Sequence, residues 1–412
     1  MTMKSLILGS AAAVLAVTGA QAADLPAAEP VEYVKVCDTF GTGFFYIPGT
    51  ETCLKIGGYA RYELAYREPV LGAARTENHT WTRARARLTF DARTMTEYGL
   101  LRSFIDIWPE ATSGAGFTTT SSIRFWRAFV QFGGLTAGRA GSFFEFWGGY
   151  NLAGSNGVGG AFPVLPTNLL AYTFAFGNGF SATLSAEDAT FYNYGYSGVD
   201  FLGGNGFFAT GPVGHVVPDV VASLRVDQGW GSAQIAGALH QNRFTTLTTA
   251  DAEFGYAVMG GVTINLPMIA AGDQLSVQAV YADGATYYTG TRWSAFSGAP
   301  TIVNGDTSAT TFRGTKAWSV QAGFVHNWTP QISTAITGTY VDVNNPNTVT
   351  AMRDWDAYSL FLTNTYRPVA GLSISAEVGY ENVDVHGIGT VVGAAVTDRD
   401  YWAGLLRIQR DF

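Results

Sequence analysis

The sequence predicts an all-β fold, a closed antiparallel barrel that crosses a membrane with its strands. Three observations predict it. Apolar and polar side chains alternate with a period of two, again and again, from Leu54 to the C-terminus. Charged residues make up only 14% of the chain, while 50 glycines, 20 tyrosines, 27 phenylalanines and 10 tryptophans enrich it in turn and aromatic residues. The connections between the alternating segments are short and long in turn, the asymmetry of an outer-membrane barrel.

The N-terminus comes first in chain order. Lys4 gives a basic start, Ser5 to Gly19 is an apolar run, and Ala20-Gln21-Ala22 offers the small-x-small pattern of a signal-peptidase site. Residues 1–22 are therefore read as a cleaved leader, 23–53 as a lead-in segment and 54–412 as the barrel. Beyond residue 22 no uninterrupted apolar stretch has the length of a membrane-spanning helix. Both cysteines, Cys37 and Cys53, fall in the lead-in. In an exported, oxidising setting a disulfide between them is the expectation, with two free thiols as the alternative. No histidine neighbours them in sequence, so no metal site is expected there.

The strand pattern is clearest from Thr82 to Ala92. Arg83, Arg85, Arg87, Thr89 and Asp91 alternate with Ala84, Ala86, Leu88 and Phe90. A helix would scatter those arginines around its circumference, whereas a strand puts them all on one face. The pattern recurs at Phe180–Glu187, Val220–Asp227, Leu275–Tyr281 and Leu372–Glu381. Gly177-Asn178-Gly179 and Gln228-Gly229-Trp230-Gly231 read as tight turns. Asp188 to Pro218 and Asp283 to Gly314 read as long outer loops.

Strands are placed near 54–66, 80–92, 98–108, 122–132, 135–139, 168–177, 180–187, 219–227, 232–240, 255–266, 274–282, 316–327, 331–341, 355–366, 372–382 and 400–412. That makes sixteen, with fourteen or eighteen as the neighbouring even counts. Closure is a physical demand, because lipid offers no partner to an unpaired backbone edge. A soluble β-sandwich or β-helix is the competing architecture. Too few charges, and tyrosines and tryptophans recurring at strand ends, weigh against it.

Several segments resemble the porins of alphaproteobacteria. These are Val31 to Cys37, Phe44 to Tyr59, Trp126 to Arg139 and the ending Leu406-Arg407-Ile408-Gln409-Arg410-Asp411-Phe412. The resemblance covers nearly the whole mature chain. It implies a sixteen-stranded barrel, a homotrimer, and passive diffusion of small hydrophilic solutes through a water-filled channel. It also implies a third outer loop folded into the lumen, and a C-terminal aromatic, Phe412, read by the barrel-assembly machinery. Outer-membrane lipid and lipopolysaccharide are the implied surroundings.

The third long connection, Ala140 to Thr167, has the position of that constriction loop and carries Glu145. Its aromatics, Phe143, Phe144, Phe146, Trp147 and Tyr150, either pack the loop on the wall or form a stacking track for sugars; packing is preferred, because an inward loop needs an apolar anchor. Facing it, a basic wall is expected from Arg83, Arg85 and Arg87, with Arg61 and Arg102 on the strands either side and Arg127 and Arg139 as additions. These arginines could simply line water or pair with Glu63, Asp91 and Asp106. Lipid exposure would cost about 2–4 kcal/mol each at the midplane, so the lumen face is the only tenable one. Carboxylates such as Asp106 and Glu145 against arginines would set a transverse field that sorts ions.

The outer loops look acidic. Asp188, Asp200, Asp219, Asp251, Glu253, Asp283, Asp306, Asp342, Asp354, Asp384 and Asp398 outnumber Arg243, Arg292, Arg313, Arg353 and Arg399. An acidic mouth favours cations and a basic eyelet anions, and the sequence leaves that contest open. A net charge of −8 argues against nucleic acid as a partner. No phosphate-cradling glycine loop, zinc-protease helix or nucleophile elbow occurs, and His79, His215, His240, His326 and His386 are scattered. No cofactor, no metal and no enzymatic activity are expected. The reading is a general diffusion channel, with a substrate-selective channel, for instance for sugars, as the alternative.

Overall fold

The computed structural model describes residues 35–68, 78–114, 119–152, 166–191, 215–243, 253–290, 305–306, 313–346, 354–386, 390–391, 394–395 and 399–412. The expected leader, residues 1–22, lies outside them.

Seventeen strands hydrogen-bond into one sheet, and one of them is the two-residue strand Phe45–Tyr46. The other sixteen form the barrel: β1 (Cys53–Arg67), β2 (Thr80–Thr96), β3 (Gly99–Ser113), β4 (Thr119–Phe132), β5 (Leu135–Gly141), β6 (Pro166–Gly177), β7 (Phe180–Glu187), β8 (Asp219–Gln228), β9 (Gly231–Asn242), β10 (Glu253–Asn265), β11 (Gln274–Asp283), β12 (Lys316–Asn327), β13 (Ile332–Asn344), β14 (Trp355–Tyr366), β15 (Leu372–Val385) and β16 (Arg399–Asp411). Each pairs antiparallel with its sequence neighbours. β16 returns to β1, with Tyr62 opposite Ile408 and Glu63 opposite Arg407, so no edge is left open. The count expected from the alternation is the count observed. β3 and β4 run further outward than the pattern suggested, which shortens the connection between them to residues 114–118.

The two faces separate as the period of two requires. Leu224, Ile235, Val258, Leu360 and Val378 are well exposed on the outer surface, while Ser223, Gln234, Ser359 and Glu377 beside them are buried on the inner one. Aromatic pairs mark two belts on the outside. Trp318–Tyr340, Tyr358–Tyr380 and Tyr380–Trp402 lie at one level, and Tyr98–Phe132 and Tyr172–Phe174 at the other. The short turns share one end. Gly177, Asn178 and Gly179 there take φ of 85°, 51° and 79°, which is why glycine and asparagine occupy them.

The lead-in folds under that end. Cys37 and Cys53 form a disulfide with Cα atoms 6.0 Å apart. Both are buried with Phe44, and Phe40 and Tyr46 pack around them. Phe45 and Tyr46 pair with Leu54 and Cys53, so the bond fixes the lead-in to the start of β1.

One irregularity shapes the lumen. Asp106 faces Arg127, but Ile107 faces Phe125, so Trp126 is an extra residue in β4. This β-bulge lets two adjacent residues, Trp126 and Arg127, point inward.

Candidate functional site: the lumen constriction

The third outer connection folds inward. Its described part, residues 142–152, is tied to inward-facing groups on strand after strand. At its root Phe143 N–H donates to Glu187 on β7 at 3.0 Å, and Gln234 on β9 donates to the carbonyls of Phe143 and Glu145, each at 3.2 Å. Trp147 N–H donates to Gln278 on β11 and Tyr150 N–H to Thr337 on β13, both at 3.1 Å; Tyr150 Oη and Ser276 Oγ are 2.9 Å apart. Leu152 N–H donates to Glu377 on β15, and its carbonyl accepts from Arg407 on β16 at 3.1 Å.

The loop aromatics pack it on the wall, as preferred from the sequence. Phe144 is buried in a cluster with Val221, Met259 and Tyr288, and Phe143 and Phe146 pack against that cluster. The strands make room with glycine: a Cβ on Gly261 would come within 2.4 Å of Phe146, and one on Gly323 within 2.6 Å of Trp147.

The described part of the loop thus runs along the wall from β7 to β15 and touches β16 at Arg407, and the arginines stand on the wall from β16 through β4. Glu63 is fully buried and receives Arg83 Nη2 at 2.5 Å and Arg407 Nη2 at 2.7 Å, with Arg61 Nη1 at 3.6 Å. Glu110 receives Arg85 at 2.5 Å and Arg124 at 2.9 Å. Asp106, also fully buried, takes a two-pronged contact from Arg87 at 2.9 and 2.7 Å and the Trp108 indole N–H at 2.7 Å. Asp91 is shared by Arg93 and Arg102. Arg127 and the loop's Glu145 are within electrostatic reach of each other.

The layering matters more than the pairing. The carboxylates lie at the base of the wall: Glu63 and Asp106 are 0% exposed, whereas the Arg87 side chain is 30% and that of Arg124 58% exposed. Water in the lumen therefore meets the guanidiniums of Arg87 and Arg124 first, while Arg85, Arg407 and Arg61 are more covered. Among the described residues, nine arginines (61, 83, 85, 87, 93, 102, 124, 127 and 407) and four carboxylates (63, 91, 106 and 110) make up this network, a surplus of five positive charges within it. The Trp108 and Trp126 rings stack at 4.1 Å, and the Arg85 guanidinium is 4.5 Å from the Trp108 ring. The arrangement holds guanidinium groups in fixed positions against water, which a lone arginine chain could not do.

The structure places Arg61, Arg83, Arg85, Arg87, Arg102, Asp106 and Arg127 on one stretch of the inner wall, with Glu145 on the loop within electrostatic reach of Arg127. Arg139 is not among them. On β5 it takes the face opposite the inward Thr136 and Ala140, faces Asn168 on β6, and feels Asp188. It belongs to the outer surface, because inward positions on β5 are even-numbered. Asp219 also departs from expectation. It is not a mouth acid but is fully buried, accepting from Tyr288 Oη at 2.7 Å and contacting His240 Nδ1 at 2.8 Å. Asp200, Asp251 and Asp398 lie outside the described residues. Residues not predicted as part of the site are Glu110, Arg93, Arg124, Arg407, Trp108 and Trp126. Arg407 carried a signal, since it alternates with Gln409 and Asp411 on a last strand that must meet the first. Trp126 carried only an indirect one, the shift of the inward positions from even at Ser122 and Arg124 to odd at Arg127 and Gln131.

A closed sixteen-strand barrel with aromatic belts, a loop folded into its lumen and a charged constriction defines an outer-membrane channel for passive diffusion. The chain belongs to the porins: the family model described as "Porin subfamily" matches residues 24–405. It is 31% identical over 425 residues to Porin Omp2b of Brucella suis and of Brucella melitensis, covering all of both chains in each case. Among solved structures, the outer membrane channel DcaP of Acinetobacter baumannii superposes with a TM-score of 0.69 at 14% identity, over 89% of this chain and 99% of that one. The anion-selective porin from Comamonas acidovorans gives 0.53 at 12% identity, over 88% and 100%.

Proposed function

We propose that the channel passes small hydrophilic solutes without a dedicated binding step, and that its constriction favours anions. The carrying observation is the layered wall: buried carboxylates hold a surplus of guanidiniums forward into the water. A field of that sign raises the local concentration of anions and lowers that of cations. No chemical transformation is assigned to the chain, in keeping with a family of channels. The acidic residues of the outer loops act further from the narrowest point, where salt screens them more fully.

The working assembly is a homotrimer in outer-membrane lipid and lipopolysaccharide, a reading supported by the resemblance to porins. Export by a leader removed before Ala23, and recognition of Phe412 by the assembly machinery, complete it. Phe412 suits that role, being 64% exposed while its N–H and C=O bond Gly58 on β1, each at 3.1 Å. The stacked Trp108–Trp126 pair is the feature that would favour a solute-selective channel instead.

The test is single-channel recording of the mature protein in a planar bilayer under a potassium chloride gradient. Ohmic steps closing in threes, with a reversal potential of anionic sign, are expected. Steps of cationic sign would refute the preference, and saturable block by one neutral sugar would replace general diffusion with the selective reading.

A further inference from the structure

Towards the end with the short turns, the lumen wall between β13 and β1 forms an open cavity of about 620 Å³. Arg61, Arg367 and Arg407 line it, together with the hydroxyls of Thr365, Ser373 and Ser375. Leu152 of the inward loop also lines it, and Arg61 and Arg407 belong at once to this cavity and to the arginine wall. Its one carboxylate, Asp411, accepts from Gln409 Nε2 at 2.7 Å.

The three guanidiniums are positioned but not used up. Arg61 directs Nε to Gln409 Oε1 at 2.6 Å and Nη1 towards Glu63. Arg407 spends Nε and Nη2 on Glu63 and Leu152. Arg367, at the lip of the cavity, donates Nη1 to Ser333 Oγ at 2.9 Å. That leaves Nη2 of Arg61, Nη1 of Arg407 and the Nε and Nη2 of Arg367 without a protein acceptor among the described residues. Thr365 Oγ1 and Ser375 Oγ lie 2.9 Å apart, and either can turn its hydrogen outward.

We propose that this cavity is a subsite for small oxyanions of the phosphate class, free or carrying a short organic group, on their way out of the constriction. Donors converge from β1, β16 and the turn after β14. A tetrahedral, multiply charged oxyanion with several acceptor oxygens can use all three directions, whereas a carboxylate offers two oxygens in one plane. The volume falls within the ~300–1,000 Å³ range of small-molecule sites. Occupancy must be brief, since a site that holds its solute tightly stops conduction. The inference rests on the anion-favouring channel proposed above and adds a place within it and a solute class.

The probe is inorganic phosphate added to the short-turn side of single channels carrying a potassium chloride current. Conductance in chloride alone is read first in each membrane. The wild type should show saturable block. Arg367→Lys, which keeps the charge but loses the fork, should raise the half-blocking concentration by about tenfold, and Thr365→Val/Ser375→Ala should raise it by about threefold. Equal block in Arg367→Lys and wild type, with loss only in Arg367→Gln, would mean a diffuse field and overturn the subsite. Normal chloride conductance without saturable block would overturn the subsite alone. A wild type that carries no chloride current would overturn the channel reading and the subsite with it.

Discussion

Neutralising Arg83, Arg85 and Arg87 together to glutamine would test the constriction most directly. Folding should survive, because each carboxylate keeps a second partner. Glu63 retains Arg407, Glu110 retains Arg124, and Asp106 retains the Trp108 N–H. The surplus within the arginine–carboxylate network then falls from five positive charges to two. A monovalent ion passing at about 6 Å from one such charge in water feels roughly 0.7 kcal/mol, about halved by screening at physiological salt. That is about twofold in concentration for each ion, in opposite directions, or about fourfold in the anion-to-cation ratio per charge. Alternate residues on a strand are roughly 7 Å apart, so an ion feels one or two of the three at a time. The permeability ratio should therefore drop by about four- to sixteenfold. The reversal potential under a salt gradient would move towards the cationic side by on the order of tens of millivolts. An unchanged reversal potential in a folded triple variant would refute the reasoning.

Three further outcomes are expected. Gly323→Leu should push Trp147 and Tyr150 off the wall, loosen the loop and alter conductance with the barrel intact, as heat-modifiable migration on gels would show; conductance identical to wild type would deny the loop its role. Reducing Cys37–Cys53, or Cys53→Ser, should lower stability by about 3 kcal/mol for a loop of 16 residues while leaving conduction in place, read by thermal melting in detergent with and without reductant. Asp273, in the short turn before β11, has its carboxyl held below the ordinary range. Burial works to raise it, but hydrogen bonds from His326 Nδ1 at 2.6 Å and Asn327 N–H at 2.8 Å outweigh that. A lowered value means stabilisation that is present above the ordinary carboxylate range and lost as the pH falls through the folded value. Acid melting curves of Asp273→Asn should accordingly be flatter than those of the wild type across that window, and parallel curves would count against it.

The strands could be read from the sequence because the medium forces them to be. Lipid outside and water inside impose a period of two on every crossing segment, and residues such as Arg83, Arg85 and Arg87 leave only one tenable face. The turns could be read because left-handed backbone at Gly177-Asn178-Gly179 restricts the residue choice. What the sequence could not supply was anything created by closure or by a break in register. Glu63 and Arg407 are 344 residues apart and meet only because β16 closes on β1. Trp126 turns inward only because β4 carries one residue more than its neighbour there, and Arg139 turns outward because parity on the short strand β5 is counted afresh after a turn. The path of the loop along the inner wall, fixed by single hydrogen bonds to Gln278, Thr337 and Glu377 and by the missing side chains of Gly261 and Gly323, was likewise decided in three dimensions. Periodicity is a local property set by solvent on either side of a strand, and the constriction is a meeting of strands that only the closed barrel brings together.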